Sequence, residues 1–309
     1  MTAQAKGFFP LKLASQSAVH GQGLPGDKVG FIAEDNTKER KRAGFFDPLQ
    51  VRDLLALLNN FHPTLSKGEA MAIVERSLGF VFPAVCQFCL LEAARHDQGY
   101  LCARCWQRLR FVSRPFCELC GLPFDGEVSS TFRCPNCQDC DFAFRGARSS
   151  VLANEFALDL IHRYKYQSAM WLEPVLADLL YNSLCQYHLN EGWDLIVPVP
   201  LFPTKERERE FNQAERIARS IAKKLGIPLE SHLLKRVAPT VSQTMLNRSE
   251  RRENVRRAFT INSEKRLEGL RVMLVDDVFT TGATTDACAR VLRRMGASEI
   301  WVSTVVRGL

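Results

Sequence analysis

The residues from Val272 to Thr285 are of the types that bind a phosphorylated sugar. Four apolar residues precede two adjacent carboxylates, Asp276 and Asp277, and a threonine-rich turn around Gly282 follows them. The glycine lets the backbone approach a ligand, and the N–H groups and hydroxyls at the start of the next helix suit a phosphate. Two carboxylates would repel that phosphate, so they suit the hydroxyls of a ribose, or a magnesium ion.

We therefore take Asp276 and Asp277 as the candidate catalytic pair. The candidate phosphate-binding residues are Thr280, Thr281, Gly282, Ala283 and Thr284. The alternative is an ordinary strand-to-helix turn in which Asp and Thr act only as caps. An isolated Asp-Asp or Thr-Gly would fit that interpretation, but the complete run after an apolar strand favours the sugar phosphate site.

A second group of candidate residues consists of four Cys-x-x-Cys pairs. The eight candidate metal ligands are Cys86, Cys89, Cys102, Cys105, Cys117, Cys120, Cys134 and Cys137. Two such pairs complete a tetrahedral zinc shell, so the spacing predicts two structural zinc sites. Sequential pairing would give two ribbons and alternating pairing a cross-braced module; we favour the sequential arrangement. Cys140 is either a substitute for Cys137 or a spare thiol.

The cysteine pattern and the apolar runs also predict the compartment. A disulfide framework would need a secreted protein, but residues 1–20 lack the continuous apolar core of an export signal. No apolar run approaches the roughly 18 residues that a membrane helix needs. We therefore expect reduced thiols, a cytoplasmic location and no insertion into a membrane.

The basic residues of the chain are concentrated in its second half. The net charge is +7, and residues 205–271 hold 17 Lys or Arg against 9 Glu and no Asp. Such a segment favours anionic partners, although solvated helix faces with Glu–Arg pairs explain part of the excess. Guanidinium forks match phosphate oxygens. The candidate diphosphate-binding residues are Lys205, Arg207 and Arg209.

The elements that must position these side chains alternate between strands and helices. Helices are predicted at 151–170, at 172–187, from Ala214 to Leu225 with Asn212 as the cap and Gly226 as the terminator, and after Gly282. Strands are predicted at 194–200, 271–275 and 299–306, with an arginine-rich loop at 201–211. Residues 227–261 are either a flap over the site or a plain surface excursion. The pattern is that of an α/β fold with a parallel sheet.

Taken in order, these motifs resemble the ComF family, also called GntX, over roughly residues 82–307. The quoted motifs are the Cys-x-x-Cys ribbons, Asp194-x-Ile196-x-Pro198-Val199-Pro200-Leu201, Arg207-x-Arg209-x-Phe211-Asn212-Gln213-Ala214, Arg236-x-x-x-Thr240-x-x-Gln243-x-x-Leu246, Arg251-x-x-Asn254, and the run at 272–285. The resemblance implies a type I phosphoribosyltransferase-like parallel sheet flanked by helices, preceded by a small zinc-ribbon domain with four-cysteine sites. The expected division is a flexible extension at 1–75, a double zinc ribbon at 80–141 and the phosphoribosyltransferase-like domain at 142–309.

The resemblance also implies a ligand and a reaction. The ligand is phosphoribosyl diphosphate (PRPP) with magnesium, and an acceptor nitrogen displaces its diphosphate. In this family the two acids bind the ribose hydroxyls and the threonine-rich turn holds the 5′-phosphate. Phe202 stands where the family usually has His, and Glu210 where it usually has Gly. Both fall where diphosphate is expected, so PRPP binding is a firmer expectation than turnover.

Two functions follow from the resemblance. The first is phosphoribosyl transfer to an unidentified acceptor, linked to DNA uptake and competence or to nucleotide salvage. The alternative is a non-catalytic competence protein that binds single-stranded DNA or regulates DNA uptake, with PRPP as a ligand only. The zinc ribbons and the basic residues Arg251, Arg252, Arg256 and Arg257 favour this alternative.

Overall fold

The centre of the fold is a parallel sheet whose strands are largely buried on both faces, as expected for strands covered by helices on each side. The computed structural model describes residues 85–94, 101–126, 132–238, 255, 257–262 and 266–308. The strands of this sheet are β1 (Gly146–Leu152), β2 (Leu195–Pro198), β5 (Arg271–Phe279) and β6 (Glu299–Arg307), in the order β1-β6-β5-β2. Two short strands, β3 (Leu234–Arg236) and β4 (Phe259–Ile261), form a separate antiparallel pair.

The register of the sheet brings the candidate residues to one edge. β5 and β6 are parallel, with Asp276 opposite Thr304 and Phe279 opposite Arg307. Pro198 at the end of β2 pairs with Val275 on the other side of β5. Because parallel strands end at the same edge, the acid pair and the turn after it lie where open α/β sheets bind ligands.

Helices lie on both faces of the sheet. The α-helices are α1 (Ala103–Trp106), α2 (Pro135–Gln138), α3 (Glu155–Tyr166), α4 (Glu173–Gln186), α5 (Pro203–Arg209), α6 (Gln213–Leu225) and α7 (Ala283–Arg294), of which α5 buries no residue. The core on one face contains α3, α4 and α6 with Met273 and Val275. The core on the other face contains α7 with Val272 and Leu274. The alternation of side chains along β5 therefore divides the interior into two cores.

The structure confirms the predicted α/β fold and most of its elements. In α6, the Asn212 side chain accepts hydrogen bonds from the first-turn N–H groups, and Gly226 ends the helix at φ 68°. These are the cap and the terminator that the sequence predicts. Within the residues that the structure describes, none of the helices combines the length and apolar character needed to span a bilayer.

Three predicted elements were wrong in their extent. The helix predicted at 151–170 begins only at Glu155, because Asn154 caps it and the preceding residues pair with β6. The loop predicted at 201–211 contains α5, whose first residue is Pro203, a residue suited to the first helical position. β5 does not stop at the acids but continues to Phe279, because backbone pairing with β6 does not depend on side-chain type.

Several predictions fall on residues that the structure does not describe. The proposed extension at 1–75 lies outside the described residues, as do Thr240, Gln243, Leu246, Arg251 and Arg252 of the possible flap. The two ends of that excursion are described, and they form the β3–β4 pair.

Candidate active site and metal centres

The acid pair at the end of β5 is held by a lysine from another element. Lys165 of α3 places its Nζ 2.6 Å from Oδ2 of Asp277, and both side chains are largely buried. The backbone N–H of Asp277 donates to Oδ1 of Asp276 at 2.9 Å. The two carboxyl groups are therefore oriented before any ligand binds, one by a charge and the other by the backbone.

The two acids differ in their electrostatic surroundings. Loss of solvent raises the pKa of Asp276 to about 8, the neighbouring Asp277 contributes to the rise, and Lys165 opposes it. A carboxyl group that carries a proton near neutral pH can donate a hydrogen bond as well as accept one. Asp276 can therefore pair with a ligand hydroxyl in either direction, whereas Asp277 contributes an ion pair with Lys165.

The turn after the acids has a fixed backbone and exposed side chains. Gly282 has φ 78°, and a Cβ there would lie 2.8 Å from Cζ of Phe279, so glycine is required twice over. The Gly282 carbonyl accepts from the Thr285 hydroxyl at 3.0 Å and from the Asp286 N–H at 2.8 Å. Thr280 and Thr281 are exposed at the start of α7. This geometry is suited to an anion, since the positive end of a 12-residue helix lies behind the turn.

Arg209 connects α5 to the acid side of the site. Its guanidinium donates to Gln213 Oε1 at 2.9 Å and to the Tyr166 hydroxyl at 2.8 Å. Tyr166 directly follows Lys165 in α3, so Arg209 lies at the edge of the site. Lys205 and Arg207, the other predicted diphosphate ligands, are exposed on α5.

Arg236 begins one of the motifs of the family resemblance, and the sequence alone assigns it no role. It lies at the end of β3, and burial lowers the pKa of its guanidinium, while the nearby Cys288 and Asp276 raise it and Arg209 lowers it. Arg236 is therefore within electrostatic range of Asp276 and Arg209. The sequence analysis missed Lys165, because its proximity to Asp277 depends on packing between α3 and β5 that no local pattern reveals.

Glu210 adopts a backbone conformation that explains the glycine usual at this position. It ends α5 in the left-handed region, with φ 67° and ψ −8°. This region costs a residue with a Cβ roughly 1–2 kcal/mol, whereas glycine enters it without that cost. The chain keeps the turn between α5 and α6 despite this substitution, and a carboxylate lies beside the predicted diphosphate ligands.

The cysteines form two clusters with the geometry of tetrahedral zinc sites. Cys86, Cys89, Cys102 and Cys105 make the first cluster, and Cys117, Cys120, Cys134 and Cys137 the second, with all ligand atoms in each within 4.8 Å of one another. Sγ–Sγ distances of 3.6 Å and 3.7 Å in the first cluster and 3.7 Å in the second are close to the ~3.8 Å edge expected for Zn–S bonds of about 2.3 Å. The two clusters fit two structural zinc sites.

The structure also answers the two questions left open about the cysteines. The favoured sequential pairing is confirmed, because each cluster contains two consecutive Cys-x-x-Cys pairs. Cys140 lies outside the second cluster and directs its Sγ to the Asn136 carbonyl at 3.0 Å. Each cluster belongs to a different core: the first packs with α3 and α4, the second with α7.

The comparisons with known proteins agree with this arrangement. Residues 77–141 match the family described as double zinc ribbon domain, and residues 212–309 match the phosphoribosyl transferase domain. The chain is 30% identical to Competence protein F of Haemophilus influenzae over 214 residues, which are 67% of this chain and 90% of that protein. It is 29% identical to DNA utilization protein YhgH of Salmonella typhimurium over 231 residues, 74% of this chain and 98% of that one.

A further relative and one solved structure complete the comparison. The chain is 27% identical to Competence protein ComFC of Streptococcus pneumoniae over 234 residues, 74% of this chain and 97% of that protein. The purine phosphoribosyltransferase from Pyrococcus horikoshii aligns with a TM-score of 0.29 at 22% identity, over 44% of this chain and 74% of that one.

Proposed function

Because the chain belongs to the ComF family, in which a double zinc ribbon accompanies a phosphoribosyltransferase domain, we propose that it binds PRPP and transfers the phosphoribosyl group to an acceptor nitrogen. The observation that supports this most is the acid pair. Lys165 reaches Asp277 at 2.6 Å, at the carboxyl edge of the sheet, and the Gly282 turn follows directly after β5 ends at Phe279.

The proposed division of the ligand follows from charge. Asp276 and Asp277 bind the ribose hydroxyls, and the turn at 280–284 binds the 5′-phosphate through hydroxyl and backbone donors. Arg209, with Lys205 and Arg207, faces the diphosphate. Lys165 is close enough to the acids to exchange its partner for a ligand oxygen when PRPP is bound.

The reaction needs little covalent chemistry from the chain. The acceptor nitrogen forms a bond to C1 of the ribose while the C1–O bond to diphosphate breaks, and the bonding electrons leave with diphosphate. Positive charge develops on the ribose, where the Asp277 carboxylate stabilises it electrostatically. The basic residues of α5 stabilise the negative leaving group, and magnesium bound to PRPP would supply further positive charge there.

Calorimetry tests binding, and diphosphate release tests transfer. We expect wild type to bind PRPP in the presence of magnesium and Asp277→Asn to bind it at least about tenfold more weakly, a loss of about 1.4 kcal/mol. Asp178→Asn removes an exposed carboxylate on α4 and is the matched control, expected to bind like wild type. Failure of wild type to bind PRPP at millimolar concentration would contradict the proposal; binding without base-dependent diphosphate release would contradict the transfer reaction.

A second candidate function is supported by the names of the relatives. They are called competence and DNA utilization proteins, which favours a role in DNA uptake with PRPP as a ligand only. Arg251, Arg252 and Arg256 lie outside the described residues, and Arg257 is exposed. Affinity for single-stranded DNA that falls steeply with salt and is lost when these four arginines are changed to alanine would support this function.

The compartment is part of the same proposal. Zinc sites of four cysteines require deprotonated, reduced thiols, and reducing conditions of that kind prevail in the cytoplasm. We therefore place the protein there. Cysteines recovered as disulfides from the native source would contradict this location.

A further inference from the structure

Arg307, the last residue of β6, lies between the second zinc cluster and the phosphate-binding turn. Its side chain is only 5% exposed. Its guanidinium donates to the Cys120 carbonyl at 3.0 Å and approaches the Cys120 Sγ at 3.5 Å. On the other side it donates to the carbonyls of Phe279 at 3.3 Å and Thr280 at 3.1 Å, and also to that of Gly308. One buried side chain therefore contacts a predicted zinc ligand and the residues that begin the turn.

The charge of Arg307 makes these contacts interdependent. A buried guanidinium is stable only when anionic or strongly polar groups surround it, and a zinc ion held by four thiolates carries a net charge of about −2. The guanidinium is also planar and rigid, so it cannot move toward one partner without moving away from the others. Arg307 therefore connects Cys120 to the backbone at Phe279 and Thr280 through a single rigid group.

The segment that follows the second cluster contacts the same turn. The Ala143 N–H donates to Asp286 Oδ1 at 2.8 Å, and Arg293 of α7 donates to the Ala143 carbonyl at 3.0 Å. The Phe142 ring lies against Gly282, where a Cβ would be 3.2 Å from its Cζ. Residues 142 and 143 therefore connect the second ribbon to both the first turn of α7, through Gly282 and Asp286, and its last turn, through Arg293.

The first cluster is attached to a different element. Phe88, within its first Cys-x-x-Cys pair, packs edge-on against Phe156 of α3, with the ring centroids 5.0 Å apart. Arg163 of α3 lies over the Phe88 ring at 4.2 Å and donates to the Gln87 carbonyl at 3.3 Å. These contacts involve α3 and not residues 279–284. The first cluster therefore serves as an internal control for the effect of the second cluster on the turn.

We propose that the second zinc cluster positions the phosphate-binding turn at 279–284 through Arg307, so that zinc binding at this cluster and ligand binding at the turn are thermodynamically coupled. Arg307 is a positioning residue in this proposal, since it acts on the turn through the backbone. The ligand side of the coupling rests on the proposed function, whereas the structural side does not. Because such coupling is reciprocal, the ligand must stabilise zinc at the second cluster as much as zinc stabilises the ligand.

The first experiment needs no ligand. Hydrogen exchange of the zinc-loaded protein is compared for wild type, Arg307→Lys and Arg271→Lys; Arg271 pairs with Glu299 at the opposite end of β5 and is the matched control. We expect Arg307→Lys to speed exchange at 279–284 by at least about fivefold, the lower limit of common coupling strengths. Arg271→Lys should leave this segment unchanged. Equal exchange in Arg307→Lys and wild type would overturn the proposal.

The second experiment measures the reciprocal effect. Zinc is withdrawn with a chelator that strongly prefers zinc to magnesium, and thiols are labelled as they are released, so mass spectrometry reports each cluster separately. PRPP with magnesium should slow labelling of the second cluster by at least about fivefold, and Arg307→Lys should abolish this protection. The first cluster should show less protection. Calorimetric PRPP binding without any protection of the second cluster would overturn the coupling.

The two experiments separate this proposal from the proposed function. If calorimetry detects no PRPP binding, the proposed function fails and hydrogen exchange alone decides the role of Arg307. If Arg307→Lys does not fold, wild type is used, and exchange at 279–284 is measured before and after chelation has emptied the second cluster. Faster exchange on emptying supports the proposal; unchanged exchange overturns it.

Discussion

The two sides of the candidate site are built in different ways. On the phosphate side, the acid pair lies within β5 and the turn at 280–284 follows it; Asp277 is paired with Lys165, and Gly282 lies against the Phe279 and Phe142 rings. On the diphosphate side, α5 has no buried residue and ends at Glu210 in a left-handed conformation. The first side is organised by the core, whereas the second lies on the surface and is tied to the site through Arg209.

This difference between the two sides should affect ligand binding and the proposed transfer reaction differently. Core contacts fix the acids and the turn, so recognition of a sugar phosphate does not require a large rearrangement there. In the proposed reaction the diphosphate side holds the leaving group, and there Phe202 and Glu210 replace the residues usual in the family. We therefore expect substitutions on the phosphate side to change stability and affinity strongly, and substitutions on the diphosphate side to have smaller effects.

The largest effect is expected from breaking the Lys165–Asp277 pair. Lys165→Met leaves a buried carboxylate without its partner and should lower the free energy of unfolding by about 3 kcal/mol. Lys224→Met is the control, because Lys224 and Asp178 form an exposed pair at 2.8 Å whose loss should cost less than about 1 kcal/mol. Urea unfolding measures both. Equal losses would show that the phosphate side is not held by buried charge.

The next effect is a pH dependence centred on Asp276. Its folded-state pKa is about 8, against about 3.9 in an unfolded chain, so the folded state binds more protons between these values. Stability from this group is complete below pH ~4 and is lost as pH rises toward 8. Because Asp276 is half-buried, screening reduces the loss to about 2 kcal/mol.

Asp276→Asn should remove this dependence. The variant should unfold at about the same temperature as wild type at pH 5 and roughly 4–8 °C higher at pH 8.5. Differential scanning calorimetry at the two pH values makes the measurement, with Asp178→Asn as the control. A variant that is less stable than wild type at pH 8.5 would contradict this account of the acid pair.

On the diphosphate side, Arg209 and Arg207 provide a matched pair. Arg209 is oriented by Gln213 and Tyr166, whereas Arg207 is exposed on the same helix. Arg209→Met should weaken PRPP binding by about tenfold, the effect of losing one charge-assisted contact, and Arg207→Met by about twofold. Calorimetry distinguishes them. A larger effect at Arg207 would mean that α5 moves to bring another face to the ligand.

How much of this site could be predicted depends on whether the information is local in sequence. The acid pair, the Gly282 turn and the Asn212 cap are specified by neighbouring residues, and so the sequence predicts them. Lys165 and Arg307 are not, because they meet their partners through packing of distant elements; Arg307 and Cys120 are separated by 187 positions. Periodicity reports which side chains are buried, but not which buried side chains meet.

The extent of β5 is a second feature that local sequence patterns do not predict. Two consecutive acids are poor strand formers, so the sequence favours a strand that stops before them. The structure continues the pairing with β6 to Phe279, opposite Arg307. This pairing brings the Arg307 guanidinium at the end of β6 next to the turn after β5. A pattern within one segment of the sequence does not reveal which residues of two strands lie opposite each other.

The smallest expected effect tests the substitution at Glu210 itself. Glu210→Gly relieves the left-handed strain and should raise the free energy of unfolding by about 1 kcal/mol. Glu208→Gly, within α5, is the matched control and should lower it by about 1 kcal/mol, because glycine is a poor helix former. Urea unfolding measures the stability of both variants. If Glu210→Gly loses stability as Glu208→Gly does, the backbone at Glu210 is not strained.

The same position can show whether charge or backbone limits the diphosphate side. Glu210→Gln removes the carboxylate but keeps the strained backbone, whereas Glu210→Gly removes both. If repulsion of diphosphate is what weakens this side, both variants should bind PRPP more tightly than wild type by a few-fold, since interactions between exposed charges contribute roughly 1 kcal/mol or less. If only Glu210→Gly gains affinity, the glycine of related chains serves the geometry of the turn, and the surface side of the site is limited by its backbone and not by its charge.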